Sequence, residues 1–148
     1  MTRAVKRTCI GAFLVVLLGV LVGFVVYGWQ AAQRTGNDSF ITGNMKSFAA
    51  VETQYFQSHK RTFGTFEQLV NEGLLSARFS GNPTVLDDYV LTLKVTLTNA
   101  GQQSSYTLNV DPQSADTSKH HFYIDSNSAD IHANDKQPAS ATDPSFSK

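Results

Sequence analysis

Four histidines and a cluster of acidic and amide side chains toward the carboxyl end are where this 148-residue chain offers residues for chemistry. His120, His121 and His132 supply three imidazoles, a donor set that can hold zinc. His120 and His121 are sequence neighbours, however, and neighbours on a strand face opposite sides, so both do not easily reach one metal. Asp125, Asn127 and Asp130 resemble part of a calcium loop, in which several oxygens converge on a hard cation. The glycine and the distal glutamate of the full pattern are missing, and Asp and Asn are also ordinary turn residues. The serines sit in polar stretches without a nucleophile-elbow motif, and the sequence shows no partner for His59. These residues assign no catalytic group and no cofactor, and leave Asp125, Asn127 and Asp130 as the calcium ligands to test.

Strands and helices must position these groups, and the hydrophobic periodicity places them. Asp88 to Thr98 alternates apolar and polar residues and is rich in strand formers, which predicts a half-buried strand. Asn99-Ala100-Gly101 turns the chain, Ser105 to Val110 returns it, and Asp111-Pro112 stops it. A third strand is predicted from about His121 to Ile124, and a fourth around Ala129 to His132, joined by the polar turn Asp125-Ser126-Asn127-Ser128. Ahead of the strands, Phe48, Ala49, Val51, Tyr55 and Phe56 recur at three-to-four-residue spacing from Met45, the mark of an amphipathic helix ending near His59. Thr65-Phe66-Glu67-Gln68 fits a capping box that opens a short helix to Asn71 or Glu72, closed by Gly73. Tyr55, Phe56, Phe63, Phe66 and Tyr89 are the aromatic residues expected between helix and sheet. The fold class predicted is α+β, an amphipathic helix on a roughly four-stranded antiparallel sheet.

The amino end has a different character. Arg3, Lys6 and Arg7 precede eighteen uncharged, mostly apolar residues, Ile10 to Tyr27, and about that length crosses a bilayer as a helix. Three basic residues before the span and only Arg34 soon after it predict a cytoplasmic amino end and an exported remainder. A cleaved secretory signal is the competing reading, but its apolar core is shorter and Trp29 and Gln30 stand where cleavage at Ala31 or Ala32 wants small residues. Cys9, the sole cysteine, precedes the apolar run, which argues against lipoprotein processing and rules out an intramolecular disulfide. The predicted organisation is a basic flank over 1–9, a transmembrane helix over 10–29, a linker or helix continuation over 30–44, a globular head over 45–133 and an extended tail over 134–148. Gly36 and Gly43, with Asn37, Asp38 and Asn44, predict a kink or break between Gln33 and Asn44. Phe146 is the residue expected to anchor the tail. Gly19 and Gly23 form a G-x-x-x-G step along which two membrane helices can approach closely, although glycine is common in such helices. The exported part carries nine basic and twelve acidic residues, which gives no footprint for nucleic acid.

Several segments are similar to those of type IV pilins and type II secretion pseudopilins. Ala49-Ala50-Val51-Glu52-Thr53-Gln54-Tyr55-Phe56, Phe63-Gly64-Thr65-Phe66-Glu67-Gln68-Leu69 and Gly73-Leu74-Leu75 resemble the stretch that ends the long pilin helix and starts the head. Tyr106 to Pro112, His121 to Asp125 and Ala139 to Pro144 resemble segments of a bacterial subgroup of pilin-like heads. The resemblance covers roughly residues 40–146 and its motifs are loose. It implies leader cleavage after Gly11, the only plausible leader end. The chain then continues Ala12-Phe13-Leu14-Val15-Val16, so Val16 stands where the family has an acidic residue. An apolar residue there avoids the roughly 2.5–3.5 kcal/mol cost of a carboxylate in the membrane and forgoes its pairing with a neighbour's freed amine.

The resemblance therefore implies a pilin-like protein that either caps a filament or remains a single membrane-bound copy, with the lipid bilayer and pilin or pseudopilin subunits as its partners. The expected location is a bacterial inner membrane, with the carboxyl-terminal domain in the periplasm or outside. An independent exported binding module, tethered by the same anchor, is the alternative. Neither reading is an enzyme.

Overall fold

The computed structural model describes residues 36–97, 103–114 and 119–147. The basic flank, the predicted span 10–29, Gly11, Val16, Gly19 and Gly23 lie outside the described residues. Among the described residues no helix is long and apolar enough to cross a membrane. Asn37–Lys148 forms one compact unit, the head.

Helix α1 occupies 36–58, about 35 Å at the α-helical rise. Asp38, Ile41, Met45, Phe48, Glu52 and Tyr55 are its buried residues, spaced by three or four so that they share one face. Gly43, Ser47, Ala50 and Gln54 are exposed on the other. The predicted break is absent over residues 36–44, which are helical throughout. Glycine weakens a helix by only about 1 kcal/mol relative to alanine. Burial of Ile41 and Met45 and a bond from Arg78 Nη2 to Asn44 Oδ1 at 2.8 Å offset that cost. α1 ends where Lys60 and Arg61 adopt φ of 53° and 60°, and the Arg61 amide returns to the Phe56 carbonyl. Ring stacking of Phe56 on Phe63, with centroids 4.5 Å apart, holds the reversal.

The capping box forms as predicted: Gln68 N–H donates to Thr65 Oγ1 and Thr65 N–H to Gln68 Oε1. It starts α2, Phe66–Asn71. Gly73 follows at φ 72°, a left-handed cap that glycine adopts without a Cβ penalty. A 3-10 turn, Ala77–Phe79, leads to the sheet.

Five strands, one more than expected, make an antiparallel meander in sequence order: β1 Thr84–Leu86, β2 Tyr89–Thr96, β3 Ser105–Pro112, β4 His121–Asp125 and β5 His132–Asn134. β1 escaped the sequence reading because three residues are too few to show a period. It is fixed by a two-residue hairpin in which Asp87 and Asp88 take φ of 46° and 65°, the geometry of a type I′ turn. The last strand lies at His132–Asn134 rather than around Ala129 to His132, because Ile131 is buried in the core ahead of it. Leu91 pairs with Val110, Leu108 with Ile124 and Phe122 with Ala133. Their side chains form the inner face on which α1 packs, as predicted. Phe48 lies edge-on to both Phe66 and Tyr106, with centroids 5.6 Å apart in each pair.

The tail does more than extend. Ala139 is buried, its carbonyl accepting from Asn109 Nδ2, and Ser145 bridges to His132 beside β5. Phe146 anchors it as predicted, its amide donating to the Ile131 carbonyl and its ring meeting Phe122 edge-on at 5.2 Å.

Candidate functional site

The buried stripe of α1 contains two carboxylates, and each is met differently. Asp38, 3 % exposed, places Oδ2 at 3.1 Å from His120 Nδ1. The other ring nitrogen, Nε2, lies 2.9 Å from Oδ1 of the largely exposed Asp135. The imidazole thus bridges the helix to the segment after β5, with Phe122 and Phe146 packed around it at 5.8 and 5.5 Å. Beside it opens a cleft of about 380 Å³ lined by His120, Asn134, Asp135, Lys136, Ser145 and Phe146. Carboxylates thus face both ring nitrogens. The arrangement suits holding elements together.

Glu52, fourteen positions along the same face, has no exposed surface. Oε2 accepts the Gly64 amide at 2.9 Å, while Oε1 has no partner among the described residues, as is also true of Asp38 Oδ1. Burial, opposed only by the Gly64 bond, pushes the Glu52 carboxyl up to about 7. Burial, with the charges of Glu52 and Asp125 added, pushes the neighbouring Tyr106 phenol up to about 12.

The outer face of the sheet carries the other groups singled out from sequence. His121 Nδ1 meets Asp111 Oδ1 at 2.6 Å, while His120 turns to the opposite side, the divergence expected from strand alternation. His132 Nδ1 bonds the Asp143 carbonyl at 2.6 Å. The three histidines therefore share no partner: His120 meets Asp38 and Asp135, His121 meets Asp111 and His132 meets Asp143. Among the described residues no group of three or more His, Cys, Asp or Glu is arranged to hold a metal ion.

Asp125 is occupied by its own turn. Oδ1 accepts the amides of Asn127 and Ser128, and Oδ2 accepts the Tyr123 hydroxyl at 3.0 Å. Burial first, then that bond, pushes the Tyr123 phenol up to about 12. The Asp130 amide donates to Ser128 Oγ. Asp125, Asn127 and Asp130 thus build a reverse turn of the ordinary kind. His59 has partners that sequence did not reveal: its ring stacks on Tyr55 at 3.8 Å and its Nε2 lies 2.9 Å from Glu72 Oε1.

Asp38, Glu52 and Asp135 were missed from sequence. A search by hydrophobic period passes over carboxylates, yet Asp38 and Glu52 fall on the three-to-four-residue spacing of Ile41, Met45, Phe48 and Tyr55, and that spacing was the available signal. Comparison with family models, curated proteins and solved structures finds no match for this chain.

Proposed function

We propose that this chain is a membrane-anchored, pilin-like structural or interaction protein, a minor or tip subunit of a type IV pilus or type II secretion system. The observation that carries the reading is the unbroken helix over 36–58, which gives one face to an antiparallel meander and leaves the other exposed. Residue 36 lies within ten residues of an apolar stretch, Ile10 to Tyr27, long enough to cross a bilayer. Gly43, Ser47 and Ala50 on the exposed face set no bulky side chain between α1 and a neighbouring helix. The Ser47 hydroxyl is turned back to the Gly43 carbonyl, which quiets its polarity. The bridged and turn-bound state of His120, His121, His132 and Asp125 fits a part that packs and does not turn over substrate.

Fractionation of the expressing cell, intact mass of the mature chain and co-purification test this together. A membrane-bound chain beginning at Ala12 that co-purifies with pilin or secretion subunits is the expected result. Recovery as soluble material lacking the opening thirty residues or so, or a head exposed to the cytosol, refutes it. A tethered binding module is the second reading, favoured by the cleft beside His120. It predicts an intact, membrane-bound chain that co-purifies with no such subunit.

A further inference from the structure

Two carboxylates of α1, Glu52 and Asp38, are buried where the helix packs on the rest of the head. At the first, Glu52 is sealed in the core with the Gly64 amide as its only hydrogen-bond donor among the described residues. The titratable groups around it are Tyr55 on α1, whose ring stacks on the Glu72-paired His59, and Tyr106 on β3 with Asp125 beyond. None of these supplies a full positive charge to Glu52. At the second, His120 stands between Asp38 of α1 and Asp135 of the tail. Lys136 lines the adjoining cleft, while the flanking Lys119 and His121 are engaged by Asp88 and Asp111.

We propose that docking α1 onto the sheet takes up a proton at Glu52, making the head a pH-responsive clamp that tightens in mild acid and loosens in mild alkali. For Glu52 the sign follows from linkage: the folded carboxyl titrates at about 7 and the unfolded one at 4.5. Between those values the folded state binds the extra proton, so stability falls as pH rises. Below the unfolded value both states are neutral, and above the folded value the dependence ends. These two constants give a rise in the unfolding equilibrium constant of roughly thirtyfold between about pH 5.5 and about pH 8.5.

The test is denaturant unfolding of the full chain in uncharged detergent, followed by tyrosine circular dichroism across that range. It uses the ratio of unfolding constants at the two ends for each variant, so that a shift in overall stability cancels. Glu52→Gln is expected to shrink the wild-type ratio by roughly thirtyfold. Glu52→Met, similar in volume and without a titrating group, replaces Glu52→Gln if the amide prevents folding. Retention of the full wild-type ratio by the Glu52 variants overturns the proposal.

Discussion

Gly64→Ala tests how tightly the α1 seat is built. A Cβ added there would lie 2.9 Å from Leu69 Cδ2, 3.1 Å from Tyr55 Cε1 and 3.2 Å from Leu69 Cγ. The backbone at Gly64 is not left-handed, so any penalty comes from crowding. Leu69 has no exposed surface and therefore no direction in which to withdraw. Tyr55 is held by its stack on His59, which Glu72 pins in turn. Overpacking of this kind costs about 1–3 kcal/mol. Displacing the Gly64 amide also weakens its bond to Glu52, where an unsatisfied buried group costs about 1–3 kcal/mol. Against these stands a gain of about 0.4–1 kcal/mol from the stiffer unfolded chain. The net expectation is a loss of about 1–5.5 kcal/mol, read as a lower denaturant midpoint for the full chain in detergent. Gly43→Ala is the control: it is exposed in mid-helix with nothing within 4 Å of an added Cβ, and should gain about 0.5–1 kcal/mol. A Gly64→Ala protein as stable as wild type would refute the crowding argument.

Thr65→Ala removes the hydroxyl half of the capping box and should cost about 1 kcal/mol, with amide exchange of Gln68 accelerating before that of β3. Asp125→Ala leaves the Tyr123 hydroxyl and two turn amides without their acceptor, so the Tyr123 phenol should titrate lower by ultraviolet absorbance and the 126–128 turn should lose amide protection. Phe40→Ser, at a side chain 43 % exposed, should leave the unfolding midpoint within about 0.5 kcal/mol of wild type. Should the head dock other subunits through α1, the same change should weaken their co-purification.

The parts legible in the sequence were those with a local cause. The capping box and Gly73 are set by side chains three or four residues apart. The strands β2, β3 and β4 alternate strongly enough that one-sided burial can be read from residue type. Phe146 stood out as the one large apolar residue in a polar tail. Where the reading erred, the deciding partner was distant in sequence. Gly36 and Gly43 read as a break because their neighbours on the sheet were unseen, and β1 has meaning only beside Leu91.

Sequence by itself determined the α+β class, the amphipathic face around Phe48 and Tyr55, and the order of the meander strands from Tyr89 onward, because periodicity and capping are written in adjacent residues. Only the tertiary structure decided that Asp38 and Glu52 belong to the packed face, that His120 ties α1 to the tail, and that Asp125 serves its own turn. A carboxylate looks the same in a sequence whether water or a core surrounds it. Its chemistry is set by the partners that the folded chain brings within about 3 Å.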